Sequence, residues 1–403
     1  MSQPPRVAVT GLGAVCAVGQ GVPAVWAALR EGLCGIGPIE SVPHERLTVR
    51  VAAEARGFAP AEHFEPRRLP LLDRSTQLAL VAAREAVADA GLGPDPAHAR
   101  RRAAVFGAAV GQHTIDAAYD ALYGAGGNRV SPLTVPRVMP NAPASHVSME
   151  FGLRGPVFAV ASACASANHA IGQALALLRA GLADVAVAGG SDASLVFGYL
   201  KAWEAMRVLS PDACRPFSRD RAGLVLGEGA GVLVLERWEH AEARGARVHA
   251  ELAGHGMSAD GADLTAPDAD GAADAMEAAL LDADMAPGEV GYVNAHGTGT
   301  RLNDRTEAQA LRRVFAGRPP PVSSTKSMIG HCLCAAGALE AVATVLALRD
   351  GVLPPTIGYR EPDPECDVDP VPNEARPAHV EAALSNSFAF GGLNSVLAFR
   401  RAP

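Results

Sequence analysis

The sequence has no surplus of basic residues: 35 Lys and Arg stand against 43 Asp and Glu, a formal net charge of −8. The global electrostatic footprint of a nucleic-acid-binding protein is therefore missing, although a local basic patch stays open. There is no G-X-Y period among the 42 Gly and 30 Pro, which excludes a collagen-like helix. Cysteines are few and odd in number, seven in 403 residues at irregular spacing. That argues against a disulfide framework and for a reducing compartment. The start, Met-Ser-Gln-Pro-Pro-Arg, lacks the charged and then apolar pattern of a secretory signal. The longest apolar stretch, from Cys332 to Leu348, is interrupted by Glu340 and Thr344. It is too short and too polar at its centre to span a bilayer and reads as a buried core helix. The expectation is a cytoplasmic protein without membrane insertion.

What is present is a chain built to bury a core. Apolar residues make up 49% and charged residues 19%, and the length allows two or three domains or one large one. Short apolar runs alternate with helical patterns almost throughout. Arg6–Thr10, Ala103–Val110, Val157–Ser162 and Asp184–Ala188 read as strands, and Val22–Arg30, Arg74–Ala90 and Ala165–Arg179 as helices. Ala230–Glu236 and Val248–Ala253 are further strands. The alternation then begins again, with helices over Ala272–Asp284, Asp304–Phe315 and Gly330–Leu348 and strands at Gly291–Asn294, Pro321–Ser324, Ala383–Ser387 and Ser395–Arg400. This pattern predicts an α/β protein with mostly parallel sheets. Each half holds a strand, a sharp turn and a helix carrying reactive side chains, so two similar halves are expected, 1–250 and 251–403. The Pro-rich stretch 352–378 reads as an irregular surface loop.

Cys164 lies in Val160-Ala-Ser-Ala-Cys-Ala-Ser-Ala, between a buried strand and a helix. Free N–H groups and the positive end of the helix dipole favour thiolate there, which suits a covalent nucleophile. The same residue could equally be a small buried hydrophobe. His296 follows a strand in Asn294-Ala-His-Gly-Thr298-Gly-Thr300, and His331 is expected to open the apolar helix. At a helix N-terminus an imidazole stays neutral and can donate one hydrogen bond to a developing oxyanion. Taken singly, each histidine is better read as a core residue with satisfied nitrogens. Lys326 and Glu340 form a potential pair, either structural or orienting a histidine, because a carboxylate on an apolar segment needs a partner or a proton. In Asn386-Ser-Phe-Ala-Phe390-Gly391-Gly392 a strand end breaks into a glycine turn that can bring N–H groups to a ligand or simply join two strands. Gly11-Leu-Gly13 reads as a turn but lacks the third glycine of a dinucleotide loop. Cys332-Leu-Cys334 lacks the separation of common metal pairs, so no metal site is expected.

In combination these motifs resemble the β-ketoacyl-acyl carrier protein synthases. The order Cys164, His296, Lys326, His331, Phe390-Gly-Gly is similar to that of the elongating kind, in type II fatty acid synthases and type II polyketide ketosynthases. Gly11-Leu-Gly-Ala, Gly152-Leu-Arg-Gly-Pro156, Arg215-Pro-Phe-Ser-Arg-Asp-Arg-Ala-Gly-Leu and Gly227-Glu-Gly-Ala-Gly231 fit as well, and the match covers nearly the whole chain. The resemblance implies a thiolase-like fold of five layers, αβαβα, with two similar halves. It implies a dimer, either a homodimer or a heterodimer with a chain-length-factor-like subunit, and acyl carrier protein as partner. Carried over by position, Cys164 would accept the acyl chain, and His296 and His331 would stabilise the enolate formed as CO2 leaves malonyl thioester. Lys326 with Glu340 would support His331. The N–H groups of Cys164 and Phe390 would form the oxyanion hole, with Phe390 also gating malonyl access beside Gly391 and Gly392. Thr298 and Thr300 would contact the phosphopantetheine arm, which arrives on the carrier protein, so no cofactor is expected. Asp260, Asp304 and Glu307 would be supporting.

The chain departs from the family in places. The gate usually reads Gly-Phe-Gly-Gly, but Ala389 precedes Phe390 here. Gln112 and His113 fall in a stretch that resembles the border of the acyl pocket, and Leu224 stands where many members carry Phe. These bear on chain length and gate opening. A silent chain-length factor would lack the cysteine. A degradative thiolase needs a second catalytic cysteine late in the chain, whereas Cys366 lies in a Pro/Asp-rich loop. Initiating synthases carry asparagine where His331 stands. A non-enzymatic scaffold would leave the coordinated motifs unexplained.

Overall fold

The computed structural model describes residues 5–403. Its centre is one long mixed sheet whose two ends repeat the same plan. Val7–Cys16 at the seam pairs antiparallel with Gly229–Arg237, which pairs with Val185–Asp192, followed by the parallel strands Arg102–Ala108 and Val157–Val160. On the other side, Ala250–Ala259 pairs antiparallel with Leu393–Arg401, which pairs with Ala382–Ala389, followed by the parallel strands Val290–Asn294 and Val322–Ser323. The two sections meet only where Ala8 and Val9 face Glu251 and Ala250.

Helices Ser166–Arg179 and Ala336–Asp350 lie between the two sections and touch strands of both. Arg74–Asp89 covers the outer face of the first section, and Ala269–Asp282 with Arg301–Val314 covers the second. The result is a five-layer αβαβα arrangement. Residues 336–348 of the second central helix are all buried, as a helix apolar on nearly every side must be. None of the helices is long and apolar enough to cross a membrane among the described residues.

Most predicted elements are present with ends shifted by a few residues, and several expectations are corrected. The sheet is not mostly parallel: only the outer pairs at each end are parallel, while the inner pairs along the sheet are antiparallel, as where Ala382–Ala389 returns through a tight turn into Leu393–Arg401. The Pro-rich stretch 352–378 is not surface loop throughout, since residues 353–356, Pro370 and Val371 are buried. Gly11-Leu-Gly13 is not a turn: the first strand runs straight through it to Cys16. Gly13 is required for close packing, since a Cβ there would sit 1.9 Å from the Ala82 carbonyl oxygen of the outer helix. His331 does not open the apolar helix. It lies in a short extended link, bridged to Leu226, between the turn of helix Lys326–Ile329 and the helix starting at Ala336. The helices Gln112–Tyr119, Thr134–Val138, Ala142–Phe151 and Phe197–Ala205 were not foreseen in the sequence.

Candidate active site

The nucleophile candidate is held by a strained elbow. Ala163 takes φ +48°, a left-handed conformation disfavoured for a residue with a side chain. This turns the chain from strand Val157–Val160 directly into the 3-10 turn Ala163–Ala165 and then the central helix. Ser166 locks the elbow: its Oγ accepts from the Ser162 N–H at 2.9 Å and donates to the Ala163 carbonyl at 2.6 Å. Gly107 on the neighbouring strand admits the helix start, for a Cβ there would lie 2.4 Å from the Ala167 nitrogen. The second section repeats the elbow, with Leu333 at φ +46° before Cys334.

The tertiary fold brings Cys164, His296 and His331 together. Cys164 Sγ lies 3.1 Å from His331 Nε2. The two imidazoles are edge to face with centroids 5.4 Å apart, and the Phe388 ring meets His296 at 6.1 Å. All three reactive groups line one cavity of about 350 Å³. Thr298, Thr300, Phe390 and Gly392 line it too, while Gly391 stands behind the turn and donates its N–H to the Leu264 carbonyl at 2.7 Å. Both glycines of the turn have positive φ, +86° and +66°, which glycine adopts without steric cost.

Electrostatics here are governed by dehydration. Burial pushes the Cys164 thiol up to about 11. Lys326 opposes this, Asp192 adds to it, and the amides of Cys164 and Phe390 face the sulfur and lower it slightly. The expected thiolate is thus not the resting form; the helix end and amides do not overcome desolvation. Burial, then the charge of Lys326, lowers both histidines well below the usual imidazole range. Both rings are therefore neutral, as anticipated, but for His331 the cause is burial and Lys326 rather than a helix end.

One positioning assignment changes. Lys326 hydrogen-bonds His296, not His331: its Nζ lies 3.4 Å from His296 Nδ1 and donates to Glu340 as well. Lys326 and Glu340 are completely buried. Lys326 is one of only two lysines in a chain whose other permanently cationic side chains are arginines. A compact ammonium on a flexible stem reaches an imidazole nitrogen where a planar guanidinium would not fit the same space. Donation into Nδ1 leaves the hydrogen on Nε2. Burial raises Glu340 to about 7 against the pull of Lys326.

The supporting carboxylates hold loops. Glu307 accepts the N–H groups of His296 and Gly297 at 2.8 and 2.7 Å and the Asn386 amide at 3.1 Å. Asp304 accepts from Phe217 and Gly299 at 2.9 and 3.2 Å. Together they fix the 294–300 turn that carries His296 and the two threonines, whose hydroxyls are 2.9 Å apart. Asp260 accepts from the Asn394 amide at 2.7 Å and from the Asp268 N–H at 3.0 Å, and its N–H donates to Gly392. It thereby ties the glycine turn to the 260–268 loop.

Four contributors went unread in the sequence. Trp203 stacks on Phe390 with centroids 6.0 Å apart and planes 24° from parallel. Arg207 and Arg301 stand at the cavity mouth. Asp192, raised to about 6 by burial, lies behind the elbow and accepts the Cys334 N–H at 3.3 Å. None carries a local sequence signal, since each acts only through long-range proximity. Leu224 lines the cavity, whereas Gln112 and His113 do not.

Comparisons with known proteins identify the family. Residues 5–241 match the β-ketoacyl synthase N-terminal domain and residues 249–360 the β-ketoacyl synthase C-terminal domain. Nodulation protein E of Rhizobium sp. (strain N33) is 52% identical over 399 residues, covering 98% of this chain and 99% of that protein. The 3-oxoacyl-[acyl-carrier-protein] synthase 2 of Staphylococcus aureus (strain COL) is 41% identical, covering 100% and 99%. Among solved structures, the ishigamide ketosynthase/chain length factor superposes with a TM-score of 0.95 at 39% identity, covering 99% of this chain and 100% of that one. With a thiolase-type fold and its reactive groups converging on one cavity, the chain belongs to the β-ketoacyl synthase family.

Proposed function

We infer that this enzyme is an acyltransferase that joins an acyl thioester to malonyl-acyl carrier protein by decarboxylative Claisen condensation, giving 3-oxoacyl-acyl carrier protein and CO2. The observation that carries the reading is the placement of one thiol and two neutral imidazoles on a single buried cavity. In the first half-reaction Cys164 Sγ attacks the acyl thioester carbonyl, and its proton passes to the departing phosphopantetheine thiol. In the second, malonyl thioester loses CO2, and the enolate oxygen accepts hydrogen bonds from His296 and His331. The enolate carbon then attacks the acyl group, and Cys164 leaves as thiolate. The amides of Cys164 and Phe390, which face the sulfur, serve the oxyanion of each tetrahedral step. Lys326 and Glu340 position His296. Thr298 and Thr300 receive the phosphopantetheine arm, with Phe390, Gly391 and Gly392 as the gate.

Decarboxylation supplies the carbanion equivalent without a strong base, so the reaction requires no metal or redox cofactor. Acyl carrier protein is the partner, with Arg207 and Arg301 at the mouth complementing an acidic surface. Residues 1–250 and 251–403 form the two halves, a division supported by the repeated strand order. The protein works in the cytoplasm as a dimer, in fatty acid or type II polyketide or polyene synthesis. Strand Val157–Val160 ends the sheet half-exposed, which supports pairing with a second chain. The likeness to a ketosynthase/chain length factor supports the alternative of an active subunit in a heterodimer. The test is to offer acyl- and malonyl-carrier proteins, follow acyl loading by intact mass, and assay CO2. Absence of acyl uptake or of CO2 release from every carrier pair rejects the reading.

A further inference from the structure

A second cavity, of about 470 Å³, opens at the seam of the long sheet, away from the reactive groups. It exists because the seam strands separate. Val7–Cys16 pairs with Ala250–Ala259 only at Ala8 and Val9. Beyond that point the Leu12 and Ala14 N–H groups have no strand to bind and donate to Asp89 and Glu85 of the outer helix, each at 3.0 Å. The gap is closed from the far end by the last residues of the buried helix Ala336–Asp350, whose first turn follows the candidate active site. At 1.5 Å per residue that helix separates the two cavities by roughly 20 Å.

The carboxylates around this cleft are already engaged. Glu85 accepts the N–H groups of Ala14 and Val22, at 3.0 and 2.6 Å. Asp89 accepts from Leu12 and bonds His249 Nε2 at 2.8 Å. Asp350 accepts the Trp26 indole N–H at 2.7 Å and the Arg349 guanidinium at 2.6 Å. Arg349 also contacts the other ring nitrogen of His249 at 3.3 Å, so this buried histidine is engaged on both sides. Two cations remain. Arg30 and Arg247 line the cleft, are exposed, and make no ion pair or side-chain hydrogen bond among the described residues. Leu12, Val22, Pro23 and Trp26 supply an apolar wall.

We propose that this seam cleft binds an amphipathic organic anion, with its phosphate or carboxylate head between Arg30 and Arg247 and a short apolar body against Leu12, Val22, Pro23 and Trp26. Arg30 lies over the Trp26 ring at 5.8 Å, and Arg30 and Arg247 act on Asp350 and Asp89 only at long range, so both guanidinium forks keep their hydrogen-bond donors for a planar or tetrahedral oxyanion. The apolar wall selects a body that inorganic anions lack. The site is independent of the condensation reaction assigned to the other cavity.

The test is isothermal titration of the full chain at constant ionic strength with hexyl phosphate, hexanoate and pyrophosphate. At least one of the two alkyl anions binds saturably and more tightly than pyrophosphate, and comparison of the two identifies the preferred head group. Arg30→Ala with Arg247→Ala weakens that binding about tenfold or more, as expected for losing charge-assisted hydrogen bonds. The same double variant keeps wild-type CO2 release, because neither arginine touches the candidate active site. The proposal is overturned if neither alkyl anion saturates, if pyrophosphate binds as well as both, or if the double variant binds unchanged. The outcomes that overturn the proposal are all read from binding isotherms, so its failure leaves the condensation reading untouched.

Discussion

Replacing Lys326 by Met separates the two tasks that the structure gives this residue. Lys326 and Glu340 pair with both side chains fully buried. Removing one partner strands a carboxylate in a dry site, which costs about 3–5 kcal/mol. Glu340 already titrates near 7 from burial, and without Lys326 it takes a proton, which softens that loss at lower pH. The second task is local to His296, whose Nδ1 faces Nζ at 3.4 Å. Without that donor the ring is free to place its hydrogen on Nδ1, and the Nε2 donor to the enolate is lost for part of the population. Losing one such donor costs about 10²–10³ in rate. The double variant Lys326→Met with Glu340→Gln removes the stranded charge, so its stability returns to within about 1–2 kcal/mol of wild type. Its CO2 release stays depressed about 10²-fold, and acyl loading of Cys164 falls less, through loss of the Lys326 charge that opposes the rise of the thiol. Urea melts, intact mass and a CO2 assay on both variants read these quantities. Wild-type CO2 release by the double variant would refute the positioning role.

Cys164→Ala abolishes acyl loading in intact mass, and uptake at the wild-type rate would reject it as nucleophile. His296 and His331 stay neutral well below pH 6.5, because their depressed pKa values place protonation under the unfolded-state value. ¹⁵N chemical shifts of both rings report this at pH 6, where an imidazolium signal from either would contradict the burial argument. Trp203→Ala removes the stack on Phe390, an aromatic pair contributing about 0.5–1.5 kcal/mol beyond its burial. Trp203 also lines the cavity, so its removal enlarges the acyl space and shifts the product spectrum toward longer chains by mass spectrometry; an unchanged spectrum would show that the ring does not limit chain length. Charge reversal at Arg207 and Arg301 raises KM for malonyl-carrier protein several-fold at low salt with kcat kept, and the effect fades as salt screens it. A KM indifferent to both would place docking elsewhere.

Local pattern made much of this protein readable. The strand, elbow and helix around Cys164 follow from an apolar run, a cluster of small residues and a helical repeat, all within about twenty positions. The largely apolar character of Ala336–Leu348 marked a buried helix, and Glu340 within it announced a partner. Element ends were less legible. The glycines at 11 and 13 read as a turn because sequence does not reveal that a helix 70 residues later needs their missing side chains. The short helices between 112 and 151 were lost among mixed, half-exposed residues with weak periodicity.

The sequence alone determined the chemical inventory: one nucleophile, two imidazoles, a buried ion pair and a glycine turn, in an order that resembles one family. It did not determine which histidine Lys326 holds, that burial keeps the thiol protonated at rest, or that Trp203 backs the gate. Nor did it contain the cleft at the seam, made where two paired strands part. Those outcomes depend on desolvation and on contacts between residues some 30 to 320 positions apart, which exist only once both halves have closed on the same pair of helices.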